Sequence, residues 1–226
     1  MKKSLPFLVF SFYFLLSSPL SAEVPDDKKV TGGIGINATA LRFGNNISFI
    51  DSRFQAGAEL IGFLHIPVSQ RFSFQCGLSW GFDRTSISNS MIGTAVGSTL
   101  EDMHVAVPFY FIYRRPLASS VLLFGLGPYT NFVVRARHTM ADGTAGENPY
   151  TQQVQYDPVT GETHFALNSN NSGLGCLLGF ETSHGLQVTA SFSMSIANIL
   201  GFDYGDNRVH PQKLTLGLAY RFGARK

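Results

Sequence analysis

Six histidines, two cysteines and a short serine-rich stretch are the residues whose chemistry could reach beyond packing. His65, His104, His138, His164, His184 and His210 are scattered, and no two have the close spacing that sets two imidazoles on one helix face around zinc. Three of them, His138, His164 and His210, fall in long connecting segments and could meet only if those segments converge. Solvated side chains are the plainer expectation for all six. Cys76 and Cys176 form no CxxC pair. Each falls on the apolar side of a strand-like run and reads as a small apolar side chain rather than half a disulfide. Ser193 and Ser195, with Asn198 close by, offer hydroxyls, but a serine attacks only with a base beside it, and Met194 stands where one is needed. Gly32, Gly33 and Gly35 precede no helix, so they build no phosphate cradle. No catalytic, cofactor-binding or metal-binding residues are therefore expected.

The elements that would position these residues begin after an export signal. Lys2 and Lys3, the apolar run Leu5–Leu16 and the small-residue segment Ser17–Ala22 have the three-part composition of a secretory leader. Cleavage is expected after Ala22, leaving residues 23–226 as a single domain. Net charge is +2, which gives no reason to invoke nucleic acid as a partner. After residue 22 no apolar run approaches the length of a spanning helix. High glycine (23) and phenylalanine (20) with only 14% charged residues suit a barrel with aromatic outer and small inner positions.

Alternation is the main structural signal. Phe72, Phe74, Cys76, Leu78, Trp80 and Phe82 alternate with Ser73, Gln75, Gly77, Ser79, Gly81 and Asp83, so a period of two separates a greasy face from a small polar one. The pattern recurs from Leu186 to Ile196 and from Lys213 to Phe222. Weaker versions span Val30–Phe43, Phe54–Ile66, Met103–Tyr113, Val121–Arg137 and Gly173–Glu181. That makes eight runs, an even number, each reaching or exceeding the roughly 9–11 residues a tilted strand needs to cross a bilayer. Connections alternate as well: Gly44–Arg53, Arg84–Asp102, His138–Ser172 and Ala197–Pro211 are the longer ones, and the turns between them are short. Short turns on one side and long loops on the other belong to an outer-membrane barrel with both mature ends in the periplasm. The expected fold is an all-β, eight-stranded, antiparallel, up-and-down transmembrane β-barrel. Its narrow interior leaves room for a few large polar groups, and Glu59, Arg135, Lys213 and Arg221 are expected to point inward and pair there.

The last strand reads Thr215-Leu216-Gly217-Leu218-Ala219-Tyr220-Arg221-Phe222. Thr215, Gly217, Tyr220 and Phe222 have the spacing of a C-terminal assembly signal, with both aromatics on the outward face where an interfacial girdle is expected. Further upstream, Val105-Ala106-Val107-Pro108-Phe109-Tyr110-Phe111-Ile112-Tyr113, a basic turn and Leu123-Phe124-Gly125-Leu126-Gly127-Pro128-Tyr129 resemble the PorT-like family of outer-membrane β-barrel domains. Gly179–Leu186 and Leu218–Phe222 extend the resemblance over most of the mature chain. Ala106 and Ile112 stand where that family often carries inward Glu and Lys. The resemblance implies the same barrel and a place beside a secretion system.

The function expected is a non-enzymatic role at the envelope, structural or through loop-mediated binding of an external ligand, with outer-membrane lipid and the barrel-assembly machinery as partners. An accessory part in secretion is the alternative. A lipid A-modifying enzyme comes third, since some barrels of this size use Ser and His near the outer rim.

Overall fold

The computed structural model describes residues 29–45, 51–88, 98–117, 119–146, 148–150, 155–156, 163–164, 167–200 and 208–223. The leader over 1–22 lies outside them. Eight long strands carry the architecture: β1 (Thr31–Asn45), β2 (Asp51–Pro67), β3 (Phe72–Ser88), β4 (Thr99–Leu117), β5 (Ser120–Thr139), β6 (Asn170–Thr182), β7 (Leu186–Ser195) and β8 (Val209–Arg221). Each pairs antiparallel with its sequence neighbour, and β1 pairs with β8 to close the ring. This is an eight-stranded up-and-down barrel, and no helix occurs among the described residues.

The register turns alternation into two surfaces. On the outside, Leu216 is 67% exposed, Trp80 53%, Phe74 48% and Phe192 36%. On the inside, Ser73, Thr85 and His104 are 0% exposed. A water-soluble barrel has the opposite arrangement. An apolar wall of this extent demands hydrocarbon around it, and closure leaves no unpaired strand edge facing lipid. The barrel is a transmembrane one. Aromatic rings gather at the short-turn end of this wall. Phe72 stacks on Phe111 at 5.2 Å, and Tyr220 meets Phe222 edge-on at 5.5 Å. Such belts sit at a membrane–water boundary.

The strands run further than the sequence pattern suggests. Alternation predicts β3 to stop at Asp83 and β4 to start at Met103; the structure carries them to Ser88 and back to Thr99. The hydrophobic signal ends earlier because outward residues past the apolar band, such as Arg84 and Glu101, face water. The backbone ladder continues regardless. Small interior residues shape the lumen: a Cβ on Gly33 would lie 2.1 Å from the Phe63 ring, so that glycine makes room for the phenylalanine.

Candidate functional site

The polar groups of the lumen form two layers. The first lies near the short turns, where β4, β6, β7 and β8 bring Arg114, Glu181, Gln187 and Arg221 together. Arg221 donates from Nη2 to Glu181 Oε1 at 2.6 Å and from Nε to Oε2 at 3.1 Å. Arg114 Nη2 donates to the same Oε1 at 3.2 Å, and Gln187 Nε2 to Oε2 at 2.5 Å. All four residues are buried. Two guanidinium groups thus share one carboxylate, the fork-shaped pairing that makes buried arginine tolerable.

The second layer lies further along the tube. Lys213 Nζ stands 2.6 Å from Glu59 Oε1 and 2.9 Å from Asp83 Oδ2. His104 sits beside it, with Nε2 at 3.0 Å from Glu59 and Nδ1 at 3.2 Å from Asp102. Asn37 donates to Glu59 Oε2 at 3.2 Å, and Thr39 donates to Asp83 Oδ1. Glu59, Asp83 and His104 bring donor atoms within 4.8 Å of one another, the spread of a metal-ligand set. The Lys213 ammonium, however, already lies on the oxygens such an ion would use. The donor set holds a protein cation.

Between the layers one side of the wall is apolar, built from Tyr110, Ile112, Val121 and Leu123 with Leu177 against them. A cavity of about 100 Å³ opens in the lumen, lined in part by Asn37, Tyr110, Tyr129, Asn131, Ser191 and Ser193. A space of that size and polarity suits a few water molecules. At the long-loop end Phe43, Leu100 and Val209 from the strands meet Leu167, Ile199 and Leu200 from the loops in one buried cluster. A bridge between Leu167 and Leu200 ties two loops together across it. Tyr150 packs against the same cluster, and burial there, with Asp102 and Asp83 nearby, raises its phenol well above the ordinary value. The described side chains therefore stop the tube at both ends.

No protein-family model matches this chain, and no curated protein matches its sequence. Among solved structures it is similar to Ail, the attachment invasion locus protein of Yersinia pestis, at 13% identity over 86% of this chain and 99% of that one, with a TM-score of 0.44. Another Ail structure, with a TM-score of 0.43, holds the heparin analogue sucrose octasulfate. Neisserial surface protein A is 12% identical over 86% of this chain and 99% of its own, with a TM-score of 0.46. OprG from Pseudomonas aeruginosa is 10% identical over 86% and 97%, with a TM-score of 0.46. The barrel assignment rests on strand register and surface chemistry.

Of the residues expected inside the tube, Glu59, Lys213 and Arg221 stand in the two layers. Arg135 does not. Uninterrupted alternation along β5 predicts it inward, but a bulge supervenes: Met103 pairs with Arg135 and His104 with Val133, leaving Val134 as an extra residue. The extra residue reverses which side chains face the lumen, and Arg135 is exposed. His104 corrects the expectation of a solvated imidazole in the other direction, since it is fully buried. His65 and His138 are buried too. The side chain of His164 lies outside the described residues. Asp83, Asp102, Arg114 and Glu181 were not singled out by the chemistry of their neighbours in sequence. Parity could have found His104 and Arg114, which share the inward set of β4 with Ala106, Tyr110 and Ile112.

Thr215 and Gly217 line the inside of β8, while Tyr220 and Phe222 project outward. A Cβ on Gly217 would lie 2.5 Å from both Asn37 Oδ1 and Thr189 Oγ1, so any larger residue there must push those side chains aside. Cys76 and Cys176 are free thiols. Ser195 spends its hydroxyl on the carbonyls of Ser172 and Ala197, at 3.2 and 2.8 Å.

Proposed function

We propose that this chain is a non-enzymatic outer-membrane protein, a sealed barrel that stabilises the envelope and displays its long loops to an external ligand. The single observation that carries the reading is an apolar outer wall around a lumen crossed by two layers of charged groups that pair with one another. Charged groups paired in this way obstruct an ion's path along the tube and are not free to react. Export through the leader over 1–22 sets the short turns and both mature ends in the periplasm, with the long loops outside. Thr215, Gly217, Tyr220 and Phe222 serve as the assembly signal, and the outward edge-on pair Tyr220–Phe222 is the part a barrel-assembly machine can read before lipid covers it.

The test begins with the mature protein refolded into phosphatidylcholine vesicles. Insertion moves Trp80, the one tryptophan, into hydrocarbon and shifts its emission to the blue. Planar bilayers containing the protein show no conductance steps. Emission that stays red, or reproducible steps, overturns the reading. In cells, loss of the gene increases detergent sensitivity. A chain lacking residues 151–166 restores the barrier if the role is structural alone, and it loses ligand capture if the loops bind.

The resemblance of Val105–Tyr113 and Leu123–Tyr129 to PorT-like domains favours a second reading, an accessory part in secretion. Proteomics of culture supernatants with and without the gene tests it, and an unchanged secreted set removes it. Lipid A modification finds less support. Both ring nitrogens of His104 face carboxylates and the residue has no exposure, so it activates no serine. An altered lipid A acyl pattern in mass spectra of the gene deletion would reinstate that idea.

A further inference from the structure

The bulge that turns Arg135 outward also completes a basic cluster on the barrel wall. The register sets residues of β3, β4 and β5 in rows on the outer face. Arg84 pairs with Glu101, and Glu101 pairs with Arg137. The next row towards the short turns is Phe82, Met103 and Arg135, and the row after that runs Trp80, Val105 and Phe132. Rows two residues apart along a strand are about 7 Å apart, and Arg84 lies two strands from Arg137, roughly 10 Å. Arg84 forms an ion pair with Glu101 while remaining half exposed. Arg135 and Arg137 are exposed and have no ion-pair partner among the described residues. Arg42, another outward arginine near the loop end, differs from them: it stacks on Phe54 at 4.7 Å and bonds Gln212 at 2.8 Å.

Three guanidinium groups against one carboxylate, within reach of one another, make a site for phosphate. Their planar forks match phosphate oxygens two at a time. The surface directly below decides which phosphate. Phe82 is 44% exposed, Phe132 42% and Val134 66%, all on the same face and continuous with the lipid-facing wall. A soluble polyanion gains nothing from that apolar apron, whereas an amphiphile fills both halves at once. We propose that Arg84, Arg135 and Arg137 bind the phosphate groups of a lipid A-type glycolipid in the outer leaflet, with its acyl chains lying along Phe82, Phe132 and Val134. The inference rests on the membrane orientation proposed above and goes beyond it.

The experiment uses the full mature chain in phosphatidylcholine vesicles doped with bis-phosphorylated lipid A carrying a fluorophore, with Trp80 emission reporting insertion separately. Each basic residue at a charged membrane surface contributes about a fivefold factor, so R84Q, R135Q and R137Q each weaken lipid A binding about fivefold and the triple variant roughly 100-fold. The R71Q variant, altered in an exposed arginine at the opposite end of the barrel, binds as the unmodified chain does. Dephosphorylated lipid A binds the unmodified chain as poorly as intact lipid A binds the triple variant. If the triple variant fails to insert, the three single variants carry the test. Equal binding by variants and parent overturns the proposal, and so does capture of soluble sucrose octasulfate at this site without capture of lipid A. A parent chain that never inserts sinks the membrane reading as well. Insertion without preference for lipid A sinks the glycolipid site alone.

Discussion

The two ends of the tube are closed by opposite chemistries. At the short-turn end the stopper is ionic: Arg114 and Arg221 converge on Glu181, and every participant grows from a strand. At the long-loop end it is apolar, and Leu167, Ile199 and Leu200 come from outside the barrel strands to meet Phe43, Leu100 and Val209. The difference follows from what each end has to work with. Tight turns supply no side chains long enough to fold back, so the barrel wall must seal itself, and arginine is among the few residues that reach across a lumen. Long loops can fold inward, and burying their own apolar side chains against the rim anchors them with no directional bonds. The same anchoring leaves the loop surface outside free to vary while the stopper beneath it stays in place.

Breaking the ionic stopper gives the largest effect. Glu181→Gln keeps the shape but removes the carboxylate charge that two guanidinium groups share, each in a residue 2% exposed. Removing one partner of a buried pair costs about 3–5 kcal/mol. Urea unfolding of the vesicle-inserted protein should show that loss as a lower midpoint with an unchanged slope. An unchanged midpoint means that water already reaches Glu181 and the end is not sealed. Lys213→Met tests the middle layer in the same assay. There His104 remains to face Glu59 and Asp83, and the Lys213 side chain is 15% exposed, so the expected loss is smaller, about 3 kcal/mol.

Ile199→Ala breaks the apolar stopper. The side chain is 1% exposed, and deleting buried methyl and methylene groups costs about 2–5 kcal/mol; a loop that can settle into the gap belongs near the lower limit, roughly 2. Molar salt leaves this variant's deficit unchanged, because no charge is involved. A deficit as large as that of Glu181→Gln would mean that the loops hold the barrel together, and the contrast between the ends would fail.

The comparison also shows what the sequence could disclose. Strand number, the inward or outward sense of β3, β7 and β8, and the polar filling by Glu59, Lys213 and Arg221 follow from a period of two, which is a local property. Three things escaped it. The bulge at Val134 is a single unpaired residue with an ordinary side chain, and it inverts everything after it, so Arg135 reads inward in sequence and stands outward in space. Asp102 lies where β4 passes beyond the apolar band, and the alternation that would assign it a side fades there; Asp83 and His104 keep their inward parity, but parity does not say that they meet Lys213. The loop stopper depends on contacts between Leu167 and Leu200, far apart in sequence and set by no periodicity. Local pattern finds walls; it does not find what folds back to close them.

The smallest effect sharpens the contrast most. Arg84 and Glu101 form an ion pair of the same chemical kind as Arg221 and Glu181, but on the outer face, with their side chains 52% and 21% exposed. Water solvates both groups when they separate, so little is gained by holding them together, and exposed pairs contribute about 0.2–1 kcal/mol. Glu101→Gln in zwitterionic lipid should therefore lower the urea midpoint barely, and 1 M salt, with a screening length near 3 Å, should erase even that difference. The deficit of Glu181→Gln should persist at the same salt, since ions do not enter the sealed end. Equal losses at the two sites would show that burial does not set the strength of these pairs, and the lumen would have to be treated as wet throughout.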